Sequence, residues 1–290
     1  MSDVTVIHRG PDIVGESPRW NEADQRLYWT DIYLPAIRAY EPRSGRVQTW
    51  PMPESIGCFG FRAGGGLVAG TRTGFAFIDL ERSRFDRFGP QLLADPNLRM
   101  NDGRVDPGGR FWAGSMIETL DRPVGKLFRL DPDGRVHEVV ADLICPNGMA
   151  YSPDGRTMYR SDSRQDKVWA ADFDPARGTF ANTRVFYRND MLEGRPDGAA
   201  VDVHGYYWIA YIQGWRVMRI APDGTVDRVI GVPAQRPTAV TFGGPNLDTL
   251  FVTTATYPLP DELKSKQPLA GALFAIDVGV RGQIEPRFKG

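Results

Sequence analysis

One pattern of residues recurs along this chain at intervals of about 40 to 50 residues. Residues 16–31 and 147–162 both begin with a polar side chain, reach an aromatic ring four positions later, pass through a turn and end in aspartate. A repeat of this length is typical of a four-stranded β-propeller blade. Four further segments follow the same scheme: 57–70, 101–114, 197–210 and 238–254.

About six such units fit into the 290 residues, which predicts an all-β fold, a six-bladed β-propeller with four-stranded blades. We expect residues 1–290 to form a single domain, in which a strand at 3–9 pairs with strands near 272–278 to close the ring and cover its open edges. The rival fold, a pair of β-sandwiches, would not repeat one register along the chain. The units start at Glu16, Gly57, Asn101, Asn147, Asp197 and Thr238.

Charge and hydrophobicity exclude several classes of partner. The 35 basic and 36 acidic residues nearly cancel and form no basic run or acidic tail, so we expect no nucleic-acid partner. No apolar run approaches the roughly 20 residues of a membrane span, and the first residues lack the pattern of a signal peptide. We therefore expect a cytoplasmic protein without a membrane partner, in which Cys58 and Cys145 are buried free thiols. No feature of the sequence predicts an oligomeric state.

The shared register points to one site. In a propeller the first strand of each blade lines the central channel, so equivalent positions converge at one end of it. Here two carboxylates, Glu16 and Asp197, converge with two amides, Asn101 and Asn147. Taken singly, three of the four belong to ordinary turn sequences and Glu16 resembles a surface residue or a cap. Their coincidence in register favours a functional interpretation.

The residue types at these positions suit a hard cation. Packed together without one, the two carboxylates would raise one another's pKa. Carboxylate and amide oxygens suit Ca²⁺, Mg²⁺ or Mn²⁺, whereas dedicated zinc sites usually use His or Cys. The three histidines, His8, His137 and His204, lie at none of the converging positions. The sequence also contains no nucleophile elbow, dinucleotide fingerprint or Walker A loop.

The tripeptide Pro-Asp-Gly occurs four times, and only one copy lies in the converging register. Asp133, Asp154 and Asp223 fall at later points of their units, where we expect ordinary turns. Asp197 starts a channel-lining strand, so we expect it to bind metal and act in catalysis.

Several segments also carry a resemblance to a known family. These are GESPRW (15–20), RMNDGRVDPGGRFWAGSM (99–116), PNGMAYSPDGRTMYRSDS (146–163), RPDGAAVDVHGYYWIA (195–210) and TFGGPNLDTLFVTTA (241–255). In this order they resemble the signature segments of the senescence-marker-protein (regucalcin), gluconolactonase and luciferin-regenerating-enzyme family. Members of that family are six-bladed propellers with one divalent metal at the channel mouth, and they commonly hydrolyse lactones of sugar acids.

The resemblance implies a role for individual residues. The metal ligands would be Glu16, Asn147 and Asp197, and the ion would be Ca²⁺, Mn²⁺, Mg²⁺ or Zn²⁺. Arg99 and Asn101 would contact the substrate, as would Glu118 in a segment that resembles the family's variable loop. Asp102 and Asp202 also recur in family motifs, and we assign them to turns and blade packing.

These observations predict a metal-dependent, gluconolactonase-like lactonase whose partner is a small lactone of a sugar acid. The cation would polarise the lactone carbonyl, and Asp197 would activate the attacking water. Two alternatives remain, a phosphotriesterase-like metal hydrolase and a non-enzymatic calcium-binding propeller. A lactone from the degradation of aromatic compounds is a further candidate substrate, because five rings offer an apolar wall unless they pack within the blades: Trp29, Phe59, Trp112, Trp208 and Trp215.

Overall fold

A computed structural model of the chain describes residues 3–189 and 193–290. Strand β1 (Val4–His8) comes first, and the strands that follow form antiparallel sheets of four. The first sheet contains β2 (Gly15–Asn21), β3 (Arg26–Asp31), β4 (Ala36–Glu41) and β5 (Arg46–Pro51). The second contains β6 (Ile56–Phe61), β7 (Leu67–Thr71), β8 (Phe75–Asp79) and β9 (Arg84–Phe88). The third contains β10 (Leu98–Val105), β11 (Phe111–Ile117), β12 (Gly125–Leu130) and β13 (Val136–Leu143).

Three further sheets complete a six-bladed β-propeller, which confirms the predicted fold. The fourth contains β14 (Pro146–Tyr151), β15 (Thr157–Asp162), β16 (Lys167–Asp174) and β17 (Thr179–Arg188). The fifth contains β18 (Arg195–Val201), β19 (Tyr207–Ile212), β20 (Arg216–Ile220) and β21 (Val226–Gly231). The sixth contains β22 (Pro237–Gly243), β23 (Thr249–Thr254) and, after the short helix α1 (Asp261–Ser265), β24 (Leu273–Asp277).

The two ends of the chain close the ring in the predicted way. Strand β1 pairs antiparallel with β24, so that the order in the last blade is β1, β24, β23, β22. The N-terminal strand thereby supplies the outer strand of a blade built otherwise from the C-terminal part of the chain. This pairing occupies the edge that β24 would otherwise expose.

The six first strands differ from the others in burial and pairing. Nearly all of their residues are buried, whereas the residues of the outer strands β5, β9 and β21 are mostly exposed or half-buried. Between each first strand and its neighbour, the register shifts at or beside the position where the sequence repeat starts. Such β-bulges turn individual side chains away from the ordinary pleat. Each start of the sequence repeat therefore lies at or beside a β-bulge in the first strand of a blade.

The far end of the channel is covered by the C-terminal segment 279–290, which the repeat did not predict. Gln283 donates hydrogen bonds to two backbone carbonyls, and Glu285 lies 2.9 Å from an Arg104 guanidinium nitrogen. Phe288 is fully buried and packs in the core cluster of the second and third blades. The segment therefore packs against the end of the channel opposite the positions where the repeat starts.

Other expectations concern thiols and membranes. Cys58 and Cys145 are buried free thiols, as predicted. Within the described ranges, no helix has the length and apolar character needed to cross a membrane.

Candidate active site

The starting positions of the repeat meet at one end of the propeller, around a pocket of about 330 Å³. This volume lies near the lower end of the range of about 300–1,000 Å³ for small-molecule sites. Gly57 is on its strand β6 but does not line the pocket, since it has no side chain to project. The other five positions do line it: Glu16, Asn101, Asn147, Asp197 and Thr238.

The two carboxylates at the base of the pocket are almost completely buried. Glu16 is 7% exposed and Asp197 is 5% exposed. Burial, together with the nearby Asp102 carboxylate, raises the pKa of Glu16 to about 8. Burial and the charges of Glu16 and Asp102 also raise the pKa of Asp197 well above its ordinary value. Two buried carboxylates that disfavour each other's ionised form need a compensating positive charge.

The amides are held by a chain of hydrogen bonds. Arg99 donates to the Asn101 Oδ1 atom at 2.6 Å, and the Asn101 Nδ2 atom donates to Asn147 Oδ1 at 3.2 Å. The Asn147 Nδ2 atom in turn donates to Ser163 Oγ at 2.8 Å, and Ser163 Oγ donates to the carbonyl of Pro196 at 2.6 Å. This chain links the third, fourth and fifth blades at the level of the pocket. It fixes the orientation of both amides.

The loop residue predicted to contact substrate lies beside the predicted arginine. Glu118 Oε1 lies 3.2 Å from Arg99 Nε and 3.7 Å from Arg72 Nη1. The Tyr33 hydroxyl donates a hydrogen bond to Glu118 Oε2, and the Arg99 guanidinium lies 5.8 Å from the centre of the Tyr33 ring. Tyr33 comes from the first blade and was not anticipated from the sequence. These three side chains form a wall of the pocket in which opposite charges are paired.

Left-handed backbone at the bulges turns the candidate ligands into the pocket. Ser17 follows Glu16 with a φ of 51°, and its amide donates to Glu16 Oε2 at 2.8 Å. Gly148 follows Asn147 with a φ of 64°, and a side chain there would collide with the Tyr207 hydroxyl. That hydroxyl donates to the Gly148 carbonyl at 2.7 Å. Glycine is thus required by both conformation and space.

Two fully buried aspartates hold the backbone that leads into the site. Asp31 accepts hydrogen bonds from the amides of Ile13 and Val14, just before β2. Asp162 accepts in the same way from Ile144 and Cys145, just before β14. The terminal aspartate shared by segments 16–31 and 147–162 is the sequence signal for this role, but its function depends on contacts that only the fold creates.

The donor set fits a divalent cation. Glu16, Asn147 and Asp197 offer hard oxygens in one pocket, and burial raises the pKa of both acids, so a divalent cation held there would stabilise their ionised forms. The carboxylate of Asp197 accepts no hydrogen bond from residues 3–189 or 193–290, which leaves its oxygens free for a ligand. Within the same ranges, no three His, Cys, Asp or Glu side chains form a metal-binding group, so an oxygen set that includes an amide is the candidate.

The aspartates that the sequence assigned to turns and blade packing lie in turns or accept hydrogen bonds within the blades. The copies of Pro-Asp-Gly other than that of Asp197 lie in exposed turns between strands, with Asp133, Asp154 and Asp223 all exposed. Asp102 accepts from the Gly103 and Met149 amides and Asp202 from Trp208 and Arg219, as expected for turn and blade packing. The five aromatic rings do not form the apolar pocket wall that was considered as an alternative. Trp215 is 41% exposed, and the other four rings are fully buried within the blades, namely Trp29, Phe59, Trp112 and Trp208.

Comparison with known proteins identifies the family of the chain. A family model described as the SMP-30/Gluconolactonase/LRE-like region matches residues 14–256. The chain belongs to this family. The matched range contains all six positions where the repeat starts and every candidate site residue.

Relatives of the SMP-30/gluconolactonase family match almost the whole chain. A 6-deoxy-6-sulfogluconolactonase of Pseudomonas putida is 40% identical over 98% of both chains. Regucalcin of Xenopus laevis is 34% identical over 96% of this chain and 95% of its own. Among solved structures, a calcium-binding regucalcin from Agrobacterium tumefaciens superposes with a TM-score of 0.96, 25% identity and coverage of 100% of this chain and 98% of its own.

Proposed function

We propose that this protein is a metal-dependent lactonase that opens the ring of a sugar-acid lactone. The observation that carries the proposal is the convergence of two buried carboxylates and two oriented amides in a pocket of small-molecule size. The names of the Pseudomonas putida relative and of the family support lactone chemistry. The sulfo group in that relative's name is a strong anion, so charged sugar-acid lactones fall within the proposed class.

Glu16, Asn147 and Asp197 would hold a divalent cation, and the calcium-binding description of the Agrobacterium relative supports a bound cation. When bound, such an ion supplies a Lewis acid for the lactone carbonyl oxygen. Add-back of Ca²⁺, Mn²⁺, Mg²⁺ and Zn²⁺ to the metal-free protein ranks these ions by the activity that each restores.

The remaining steps belong to the chain's own side chains. Asp197 accepts a proton from the water that attacks the carbonyl carbon, because its oxygens accept no hydrogen bond from the residues that the structure describes. The bond between this carbon and the ring oxygen then breaks, and the ring oxygen takes up a proton and leaves as a hydroxyl group. Arg99 donates a hydrogen bond to a sugar hydroxyl. The Asn101 Nδ2 atom already donates to the Pro146 carbonyl and to Asn147 Oδ1, so Asn101 accepts from a hydroxyl at its Oδ1 atom, and both contacts restrict rotation of the bound ring. Glu118 accepts from a hydroxyl while its charge stays balanced by Arg99.

The test compares two aspartates that share a tripeptide. We expect Asp197→Ala to lower the hydrolysis of glucono-δ-lactone by at least about 100-fold, the scale of losing a general base. Asp133→Ala, in an exposed Pro-Asp-Gly turn, is the matched control and should keep wild-type activity. Both rates are measured by titrating the acid released, after confirming folding by circular dichroism.

Metal removal separates the alternatives. EDTA should abolish turnover of the wild-type protein, and add-back of a divalent cation should restore it. Full activity of a folded Asp197→Ala variant would refute the proposed role of that residue. Faster turnover of a phosphotriester than of any sugar lactone would favour the phosphotriesterase-like alternative. Tight Ca²⁺ binding without turnover of either substrate would favour a non-enzymatic calcium-binding propeller.

A further inference from the structure

Three arginines line one side of the pocket without a carboxylate partner in residues 3–189 and 193–290. Arg164 lies between β15 and β16, Arg195 begins β18, and Arg236 precedes β22, so successive blades contribute one each. Within the ranges that the structure describes, none of their guanidinium groups makes a hydrogen bond or an ion pair. The opposite wall differs, because there Arg99 is paired with Glu118.

Arg236 is the most constrained of the three. It is 8% exposed, and its Nε atom has no hydrogen-bond partner among the described residues. Burial lowers the pKa of Arg236, and the charge of Asp197 partly offsets this effect while that of Arg195 adds to it. A buried guanidinium with unused donors is costly unless a ligand supplies acceptors.

The charges that line the pocket leave a positive excess. Four arginines face three carboxylates, and a bound divalent cation would enlarge the difference. Arg99 is paired with Glu118, and the charge of Asp197, which acts on Arg236, would be offset by the cation that Asp197 is proposed to hold. The remaining positive charge then belongs to the side of Arg164, Arg195 and Arg236. An uncharged sugar lactone would leave that charge without a counterion.

We infer that Arg164, Arg195 and Arg236 form a subsite for an oxyanion carried by the lactone at a carbon away from its carbonyl group. The inference rests on the proposed lactonase function and narrows its substrate class to sugar-acid lactones with a phosphate, sulfonate or second carboxylate group. Arginine suits this role because its planar donor fork matches such groups. The substituent then holds the substrate at one end while the carbonyl lies at the carboxylate end of the pocket.

The test measures a ratio of kcat/KM values, for a charged lactone over uncharged glucono-δ-lactone. The charged substrates are the 6-phospho and 6-deoxy-6-sulfo analogues and an aldaric-acid monolactone, which distinguish the kinds of oxyanion. We expect wild type to favour at least one charged lactone, and Arg195→Met and Arg236→Met to lower the ratio about 10- to 100-fold, the scale of losing a charged hydrogen bond. Arg135→Met, in an exposed turn, is the control and should leave the ratio unchanged.

Salt and binding provide independent readouts. Added salt should lower kcat/KM for the charged lactone more than for the uncharged one. Calorimetry should show the acid formed from the favoured charged lactone binding more tightly than gluconate, with the difference lost in Arg195→Met. Equal binding of gluconate and of the acids from all three charged lactones, or an unchanged ratio in both variants, would overturn the subsite. Failure of every lactone to react would instead count against the proposed function, and the binding comparison would still decide the subsite.

Discussion

At the scale of single residues, the environment of an aspartate matters more than its local sequence. Asp133, Asp154, Asp197 and Asp223 all stand in Pro-Asp-Gly, yet three are exposed and their carboxylates have lowered pKa values because they accept hydrogen bonds in turns. Asp197 is buried next to a second acid and has a raised pKa. The same tripeptide therefore yields a turn residue or a candidate ligand according to where the fold places it.

The raised pKa values predict how stability depends on pH. Without a cation, folded protein holds protons on Glu16 up to a pKa of about 8, whereas the unfolded chain loses them near 4.5. Because the folded state binds more protons in this window, the free energy of unfolding should fall as the pH rises across it. A divalent cation should reverse the trend, so the increase in Tm on adding it should be larger at about pH 8 than at about pH 5.

Thermal unfolding in EDTA and in excess cation checks this at each pH. The double variant Glu16→Gln, Asp197→Asn should flatten the dependence in EDTA. An increase in Tm that is the same at both ends of the window would contradict the assignment of these acids to a cation site.

At the scale of elements, the bulge in each first strand decides which side chains reach the pocket. The alternation of residues in a regular strand would direct neighbours to opposite faces. The left-handed residues Ser17 and Gly148 break that alternation directly after Glu16 and Asn147. The repeat could be read from the sequence because the bulge recurs, but the sequence did not show that the irregularity itself orients the ligands.

A pair of glycines tests this role of the backbone. Gly148→Ala should lower the free energy of unfolding by roughly 1–2 kcal/mol, because alanine is strained in the left-handed conformation. Overpacking against Tyr207 should lower it by about a further 1–3 kcal/mol. Gly45→Ala has a similar φ of 68° and open space around it, so it should show only the first loss. Denaturant unfolding measures both losses, and cation affinity should fall only in Gly148→Ala. Equal losses in the two variants would show that the contact with Tyr207 is unimportant.

At the scale of the whole molecule, both termini complete the ring. Strand β1 closes the last blade, and segment 279–290 covers the channel end opposite the pocket. The pairing of β1 was predicted because an unpaired β24 would leave an open edge. The packing of segment 279–290 was not predicted, because this segment has no repeat and its contacts join parts of the chain that are far apart in sequence. The assignment of residues 1–290 to one domain, like a cytoplasmic location, stays a prediction.

Two hydrophobic residues of the C-terminal segment test its docking. Phe288→Ala should lower the free energy of unfolding by about 3–5 kcal/mol, because it empties a fully buried ring position. Ile284→Ala, at a side chain that is 66% exposed, should cost less than about 0.5 kcal/mol. Chemical denaturation of both variants measures the difference. Equal, small losses would mean that the segment does not stabilise the propeller in solution.

The sequence by itself determined the architecture and the aligned positions, because strands and turns are local and their repetition survives in the order of residues. It thereby identified Glu16, Asn101, Asn147 and Asp197 before any contact was known. Only the tertiary structure decided that Ser163 joins two of their strands and that Asp31 and Asp162 fix the backbone before the candidate ligands. It also decided that three arginines without an ion-pair partner among the described residues line one pocket. These features depend on distances between blades. A sequence repeat shows which residues occupy equivalent positions in different blades, but it does not show which loops contact one another above the channel.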